Sequence, residues 1–212
     1  TLNYDYLVIA TGSKTNFFGN ENVEKNAVWM KTVPQALNLR SLIFESLEQA
    51  AITEEKEKRK ALLTFVIAGA GPTGVELSGA IAELRNHIIK KDYKDFDASE
   101  LEIHLIEGAN RVLPPMSEES SADAHKYLTE MGVQIHLETM VKDYKNCEVT
   151  TNNGETISSE NFIWSAGVHG APVQGLKAES LIDRANRYKV NTFNQVEGYE
   201  NVFAIGDIAL MH

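Results

Sequence analysis

The sequence predicts an α/β fold, with a Rossmann-like parallel sheet, helices on its faces and an antiparallel β-meander. The continuous apolar run 62–68 has the composition of a strand that is buried on both faces. Strand and helix candidates alternate around it at the spacing of a parallel sheet with right-handed crossovers. Short strand candidates between residues 133 and 157, with a turn at Asn152-Asn153-Gly154, predict the meander.

The first elements follow from local signals. Residues 6–10 are the first strand candidate, and the polar, Asn-rich segment 14–26 is predicted to be a loop. A helix is predicted after Thr32, because Gln35 completes the spacing of a capping box. The mixed-charge run 54–60 is interpreted as a solvated helix end or turn. The apolar positions of the helix recur at helical spacing, at Leu39, Leu42, Ile43, Leu47 and Ala50.

The central segment continues the alternation. A glycine-rich turn follows the strand 62–68, and the next helix carries one apolar stripe. The polar segment 90–99 is predicted to be a loop and 101–106 the second strand of this sheet. Ser117 and Gly132 mark the start and end of a further helix. Two more buried strands are predicted at 161–165 and 201–205. The stripe consists of Leu77, Ile81, Leu84 and Ile88.

Composition excludes several function classes. The 212 residues include 20 Lys and Arg against 30 Asp and Glu, a net charge of −10 that gives no general attraction for nucleic acid or anionic lipid. The single cysteine, Cys147, excludes an internal disulfide, a cysteine zinc site and a dithiol centre. No metal-binding pattern, signal peptide or membrane-spanning run is present. Because the chain opens on Thr1 and leads almost directly into a strand, we expect a piece of a longer protein.

The main chemical motif is the glycine-rich turn. Residues 69–74 read GAGPTG between an apolar strand and a helix, the setting that a dinucleotide-binding fingerprint requires. Gly69 permits the tight turn, Gly71 lets the backbone approach a pyrophosphate, and Gly74 allows close packing of helix and strand. The helix N-terminus, with Pro72 and Thr73, would present free N–H groups to the phosphates. The alternative is a strand-to-helix turn with no ligand.

The fingerprint predicts an acidic residue at the end of the second strand, and Glu107 is there. Its carboxylate would accept bonds from the ribose hydroxyls and repel a 2′-phosphate, which predicts a preference for NADH over NADPH. Glu107 lies 33 residues after Gly74, against roughly 20 in the usual pattern, and the polar segment 90–99 accounts for the excess. The alternatives are a plain strand-end carboxylate, or a competing 2′-phosphate contact from Arg111.

Three further strand ends carry small residues, in a fold whose ligands bind beyond the carboxyl ends of strands. They are 10–12, 165–167 and 206–207, and each is either a turn or a part of a cofactor site. Glu76 is predicted in the first turn of the helix after the glycine motif, where an acid stabilises the helix dipole whether or not it has a functional role.

Together these motifs resemble a known family. Residues 63–79 and 162–168 are similar to type II NADH dehydrogenases, flavoproteins that pass electrons from NADH to quinone. Residues 4–13 and 201–207 resemble the wider family of flavoproteins with two dinucleotide-binding domains. The resemblance covers nearly the whole chain. It implies an oxidoreductase of the respiratory chain in which hydride passes from NADH to FAD and electrons then pass to a quinone.

The resemblance also implies a domain division. Residues 31–168 would be the NAD(H)-binding domain, 1–30 a flanking piece of an FAD-binding domain with a linker, and 169–212 the return segment. Glu76 would lie near the nicotinamide as the catalytic, substrate-positioning residue. Gly12 and Asp207 would face FAD. The remaining strand-end candidates for cofactor contacts are Ala166, Gly167 and Gly206.

Alternatives of other classes stay open from the sequence. One is another FAD/NAD-linked reductase of this fold, acting on a disulfide, a peroxide or a ferredoxin, and the other is an NADH-binding module that is inactive in isolation. The chain has one GxGxxG motif, so we expect it to be colourless and inactive without the rest of the protein. The expected setting is cytoplasmic, with the full protein peripheral on the cytoplasmic side of the membrane. No membrane contact is expected from this segment, and a homodimer is left open.

Overall fold

A computed structural model describes residues 3–93, 96–182 and 185–211 and divides the chain into two compact units. The central unit comprises residues 17–166, and the terminal unit joins residues 1–16 to residues 167–212. The first division lies well before the boundary at residue 30 that the sequence predicted. The reason is that residues 17–30 contain a helix and a short strand, and this strand pairs with the central sheet.

The strands in chain order are β1 Leu7–Ile9, β2 Ser13–Thr15, β3 Val28–Trp29, β4 Thr64–Ala68, β5 Glu102–Ile106, β6 Gln134–His136, β7 Val141–Lys145, β8 Glu148–Thr151, β9 Thr156–Ser158, β10 Asn161–Trp164, β11 Val168–Gly170, β12 Leu181–Ile182, β13 Arg187–Val190, β14 Val202–Ala204 and β15 Ala209–Met211. The α-helices are α1 Glu21–Asn26, α2 Val33–Ile52, α3 Lys56–Leu63, α4 Pro72–Glu83, α5 Lys90–Asp92 and α6 Glu118–Glu130. A π-helical stretch, Leu84–Ile89, connects α4 to α5.

The central unit is built on a five-stranded parallel sheet in the order β3-β10-β4-β5-β6. All five residues of β4 are buried, as expected for a strand that is covered on both faces. One face carries a core that includes Phe65, Ile67 and Ile103 with residues of α2 and α4. The other face carries Val66, Phe162 and residues of the meander. The predicted α/β class and its parallel sheet are therefore confirmed.

The antiparallel meander consists of β7, β8 and β9. The predicted turn at Asn152-Asn153-Gly154 connects β8 to β9, and Gly154 adopts a positive φ of 86°. The prediction that the meander begins at residue 133 is wrong. Residues 134–136 form β6, the edge strand of the parallel sheet, because they pair with β5 rather than with β7.

The predicted starts of α2 and α6 are confirmed. Thr32 and Gln35 form the capping box of α2, and the side chain of Ser117 accepts a hydrogen bond from Ser120 N–H at the start of α6. The loop predicted for 14–26 is wrong, since this segment contains β2 and α1. The side chain of Asn20, one of the residues that suggested a loop, caps α1 by accepting a hydrogen bond from Val23 N–H at 3.0 Å.

The run 54–60 contains the start of a helix of its own. This helix, α3, extends from Lys56 to Leu63, so that β4 begins at Thr64 rather than at residue 62. The polar segment 90–99, predicted to be a loop, begins with the short α5. Two of its residues, 94 and 95, lie outside the described residues.

The apolar stripe of α4 is correct up to Leu84, but its last member is wrong. Ile88 is 45% exposed and Ile89 is fully buried. The π-helical stretch has more residues per turn than an α-helix, so it moves the buried face by about one position. None of the described helices is both long and apolar enough to cross a bilayer.

The terminal unit has its own small core, around Ile9, Tyr188 and Val202. In it β1 pairs in parallel with β14, and β2 pairs antiparallel with β11. The strands predicted at 6–10 and 201–205 are thus present in shortened form, and they belong to this unit rather than to the parallel sheet of the central unit. A three-stranded sheet, β12-β13-β15, completes it.

Candidate dinucleotide-binding site

The glycine-rich loop lies at the carboxyl end of β4, where α4 begins. Gly71 is the N-cap of α4 and Pro72 its first residue, so the proline occupies a position that needs no N–H partner. The first hydrogen bond of this helix runs from Val75 N–H to Gly71 O at 3.0 Å. The N–H groups of Thr73 and Gly74 therefore have no partner within the helix and form the kind of anion site found at helix N-termini.

Each of the three glycines of the motif has a different structural explanation. Gly69 has a φ of 100°, and a Cβ there would lie 2.7 Å from the Cα of Ala166. A Cβ on Gly74 would lie 1.8 Å from the carbonyl oxygen of Gly69. In contrast, a Cβ on Gly71 would meet no atom within 4 Å. Protein packing explains the first and third glycines, whereas Gly71 leaves open space in front of the helix N-terminus.

Neighbouring segments hold this loop in place. Gly69 N–H donates to Ile106 O at 2.8 Å, and Leu113 N–H donates to Ala70 O at 2.8 Å. Ser165 Oγ donates to the carbonyls of Ala68 and Gly69, each at 2.9 Å. The roles of Ser165 and Leu113 were not predicted from the sequence, in which the one signal is the small hydroxyl residue directly before Ala166.

Glu107 follows β5 directly, as the sequence predicted, and is half-buried. One carboxylate oxygen accepts a hydrogen bond from Ala70 N–H at 2.7 Å, and the other accepts one from Ala109 N–H at 2.9 Å. Each oxygen keeps a further lone pair, so the carboxylate can still accept hydrogen bonds from a ligand. The Ala70 bond places this negative charge against the middle of the glycine-rich loop.

Arg111, which the sequence offered as a possible contact for a 2′-phosphate, forms its contacts with other residues. Its guanidinium donates to Pro114 O at 2.9 Å and to Met116 O at 3.2 Å, and it lies 3.8 Å from the carboxylate of Glu118. These contacts direct it toward the start of α6. A 2′-phosphate contact from Arg111 would require the loss of these interactions.

Glu76 is exposed in the second turn of α4. The expectation that it lies in the first turn is wrong, because the helix begins at Pro72 and its first turn contains no acidic residue. A role in stabilising the helix dipole is therefore weaker than the sequence suggested, since that effect falls off within the first turn.

The remaining candidates belong to the terminal unit, except Ala166, which ends the central unit. Gly12, Gly167 and Gly206 all have positive φ values, of 67°, 74° and 73°. Asp207 is exposed, and its carboxylate accepts a hydrogen bond from Ser13 Oγ at 2.7 Å. Because β1 and β14 are parallel neighbours, their carboxyl ends bring Gly12 and Asp207 to one edge of this small sheet.

Comparison with known proteins decides the family. The family model for pyridine nucleotide-disulphide oxidoreductases matches residues 1–212. The chain belongs to this family. It is 38% identical to the type II NADH:quinone oxidoreductase Ndh of Mycobacterium tuberculosis over 213 residues, which are 97% of this chain and 46% of that protein. It is 33% identical to the external alternative NAD(P)H-ubiquinone oxidoreductase B3 of Arabidopsis thaliana, with 100% of this chain and 37% of that protein covered.

Solved structures show the same fold. NDH2 from Plasmodium falciparum in complex with NADH matches with a TM-score of 0.88 and 28% identity, over 99% of this chain and 45% of that chain. The sulfide:quinone oxidoreductase of Aquifex aeolicus shares the fold, with a TM-score of 0.73 and 21% identity over 99% of this chain and 47% of that chain. The chain spans between about a third and about a half of the length of the curated relatives it matches.

Among the described residues, no group of three or more His, Cys, Asp or Glu side chains is arranged to hold a metal ion. At the glycine-rich loop, the groups available to a ligand are backbone N–H donors and one carboxylate, with open space in front of them. This donor set suits a ligand with phosphates and a vicinal diol, and NADH has both.

Proposed function

We propose that this chain is the NADH-binding part of an FAD-dependent NADH:quinone oxidoreductase of type II. The observation that carries the proposal is the open space at Gly71, at the N-terminus of α4 and between two glycines that packing requires. The named activities of its relatives support the same function. In the whole protein, FAD would accept hydride from NADH and deliver two electrons to the quinone.

Different residues of the central unit would bind different parts of NADH. The N–H groups at Thr73 and Gly74 would bind the pyrophosphate, while Gly71 and Pro72 leave room for it and Gly69 shapes the turn. Glu107 would accept hydrogen bonds from the adenine-ribose hydroxyls. Its negative charge, with Arg111 directed elsewhere, favours NADH over NADPH.

Glu76 is proposed to position the nicotinamide end of NADH. Its place in the second turn of α4 leaves the carboxylate exposed, beyond the groups assigned to the pyrophosphate. In the full-length enzyme, Glu76→Gln should slow NADH-dependent flavin reduction and leave the flavin content unchanged. Stopped-flow flavin absorbance measures both, and an unchanged reduction rate would remove Glu76 from the site.

The strand ends of the terminal unit are proposed to contact FAD, through Gly12, Gly167, Gly206 and Asp207. Ala166, which lies against Gly69 in the central unit, is proposed to contact NADH. On this view the terminal unit, residues 1–16 and 167–212, belongs to an FAD-binding domain, and the central unit, residues 17–166, forms the NADH-binding domain. The whole protein would act at the cytoplasmic surface of a membrane, where its quinone is found, and a homodimer is compatible with that role.

Calorimetric titration of the chain with NADH tests the binding part of the proposal. We expect one site per chain and tighter binding of NADH than of NADPH. Quinone reduction by the full-length protein tests the activity, with NADH as donor and a soluble quinone analogue as acceptor. Failure of the chain to bind NADH would contradict the site, and NADH oxidation without quinone reduction would contradict the reaction.

A further inference from the structure

Two histidines in the central unit form a hydrogen-bonded pair with a carboxylate at each end. His104 Nδ1 lies 3.0 Å from His136 Nε2, and their rings stack at a centroid distance of 5.3 Å. His104 Nε2 lies 3.3 Å from Glu102, and His136 Nδ1 lies 3.8 Å from Glu155. His104 is only 7% exposed. The described groups around the pair therefore come from β5, from β6 and from the turn between β8 and β9.

The contacts limit how many protons the pair can hold. His104 needs a proton on Nε2 to donate to Glu102, whereas the 3.8 Å between His136 Nδ1 and Glu155 is longer than a hydrogen bond and requires no ring proton. The bond between the rings needs one further proton, shared between His104 Nδ1 and His136 Nε2. These two ring protons leave the pair neutral, and a third, on His136 Nδ1, would face Glu155 and give the pair a single positive charge. A fourth proton would turn two N–H groups toward each other across 3.0 Å.

The burial of His104 also opposes a second positive charge on the pair. Desolvation is the largest influence on His104 and lowers its pKa, with the charge of His136 acting in the same direction and Glu102 and Glu155 opposing them. The pair is not arranged as a metal site, because the outer nitrogen of each ring already faces a carboxylate and a metal between the inner nitrogens would have only two protein ligands. Proton uptake is the chemistry that remains.

Backbone hydrogen bonds connect this pair to Glu107. His136 O accepts a hydrogen bond from Glu107 N–H at 2.9 Å, and Thr139 N–H donates to Glu107 O at 3.0 Å. β6 has three residues and forms the edge of the sheet, so within the sheet it is paired on one side only, with β5. A change in the spacing of His104 and His136 would therefore alter the segment that holds Glu107.

We propose that His104 and His136 form a proton-dependent positioning pair for Glu107, so that uptake of a second positive charge by the pair weakens binding of the adenosine half of NADH. This inference rests on the proposed NADH site. Neither histidine touches the ligand, and both act through the strand connection to Glu107. The consequence is an NADH affinity that falls as the pH decreases through the range in which histidines titrate.

The test uses ADP-ribose, which carries the pyrophosphate and both riboses without the acid-labile dihydronicotinamide. Calorimetry from about pH 8 to about pH 5.5 should show a loss of affinity of about fivefold or more in the wild-type chain, since a shift of one pKa unit corresponds to tenfold. His104→Gln should reduce this loss to less than about twofold. His87→Gln, an exposed histidine of the π-helical stretch, is the matched control and should keep the wild-type profile.

A second variant keeps the test informative if His104→Gln does not fold. Glu155 is partly exposed on the meander turn, and Glu155→Gln removes a negative charge that favours protonation of the pair. The midpoint of the affinity profile should therefore move to lower pH. Histidine C–H resonances followed by NMR should show that His104 titrates below the ordinary pKa of histidine in the wild-type chain.

The outcomes separate the two proposals. ADP-ribose binding that does not change with pH, or a full pH dependence in His104→Gln, would overturn the positioning role and leave the NADH site intact. A midpoint that does not move in Glu155→Gln would also overturn it. No binding of ADP-ribose or NADH at any pH would overturn the proposed NADH site, and the positioning role with it.

Discussion

The carboxylate of Glu107 accepts a hydrogen bond from the backbone N–H of Ala70 at 2.7 Å, and this bond joins the end of β5 to the glycine-rich loop. Glu107 and Ala70 are 37 positions apart in the sequence. The proposed ribose-binding group and the proposed phosphate-binding loop are therefore parts of one hydrogen-bonded structure. A change in one is expected to affect the other.

Glu107→Gln should weaken NADH binding and narrow the preference for NADH over NADPH by about tenfold. The amide keeps one acceptor oxygen but loses the negative charge that repels a 2′-phosphate, and a tenfold change in the affinity ratio corresponds to about 1.4 kcal/mol. Calorimetric titration with both nucleotides measures the ratio of dissociation constants. Glu119→Gln, an exposed acid at the start of α6, is the control. An unchanged ratio in Glu107→Gln would contradict its role.

Gly71→Val should abolish NADH binding while the chain stays folded. The new side chain enters the space that the pyrophosphate needs, and in the free protein its Cβ meets no atom within 4 Å. Gly79→Ala, two turns further along α4, is the control that should bind NADH normally and gain roughly 0.5–1 kcal/mol of helix stability. Circular dichroism and calorimetry check both variants. Wild-type affinity in folded Gly71→Val would place the ligand elsewhere.

Gly74→Ala should destabilise the fold itself, unlike the change at Gly71. Its Cβ would lie 1.8 Å from the carbonyl oxygen of Gly69, and this backbone atom can move only with the loop and β4. Overpacking of this kind costs about 1–3 kcal/mol. Urea unfolding should show a lower midpoint with a similar slope. A midpoint equal to that of the wild-type chain would mean that helix and strand are packed less closely here than the structure shows.

Stability should decrease as the pH falls below about 6.5, the ordinary pKa of histidine. Burial lowers the pKa of His104 in the folded chain, so between that lowered value and about 6.5 the unfolded chain binds a proton that the folded chain does not. The stabilisation is fully present above this range and is lost as the pH falls through it. Urea midpoints across the range should decrease more in the wild-type chain than in His104→Gln. If the urea midpoint changes with pH equally in both proteins, the pKa of His104 is the same in the folded and the unfolded chain.

The chain should purify without colour and without quinone reductase activity. FAD pyrophosphate needs a glycine-rich turn at a helix N-terminus, and the single motif of this kind in the sequence is assigned to NADH. Visible absorbance and extraction of bound flavin measure the ratio of FAD to chain. A ratio close to one would show that residues 69–74 bind FAD instead of NADH.

Local sequence was sufficient to predict the elements whose structure depends on interactions between neighbouring residues. The capping box of Thr32 and Gln35, the cap at Ser117 and the strand-turn-helix at residues 64–74 depend on neighbouring residues, and the structure contains all of them. The last position of the apolar stripe was wrong because a π-helical stretch has more residues per turn than an α-helix, whereas the predicted stripe keeps α-helical spacing throughout.

The sequence by itself determined the fold class, the glycine-rich loop and the position of Glu107, because each depends on residue types at fixed local spacing. The tertiary structure decided that 134–136 pairs with β5, that Glu107 binds Ala70, and that Arg111 is directed toward α6. It also brought His104 and His136 together from neighbouring strands. Apart from those of Arg111, which lie within a few positions of it, these contacts join residues far apart in the chain. Strand pairing sets them through long-range packing that no local pattern records.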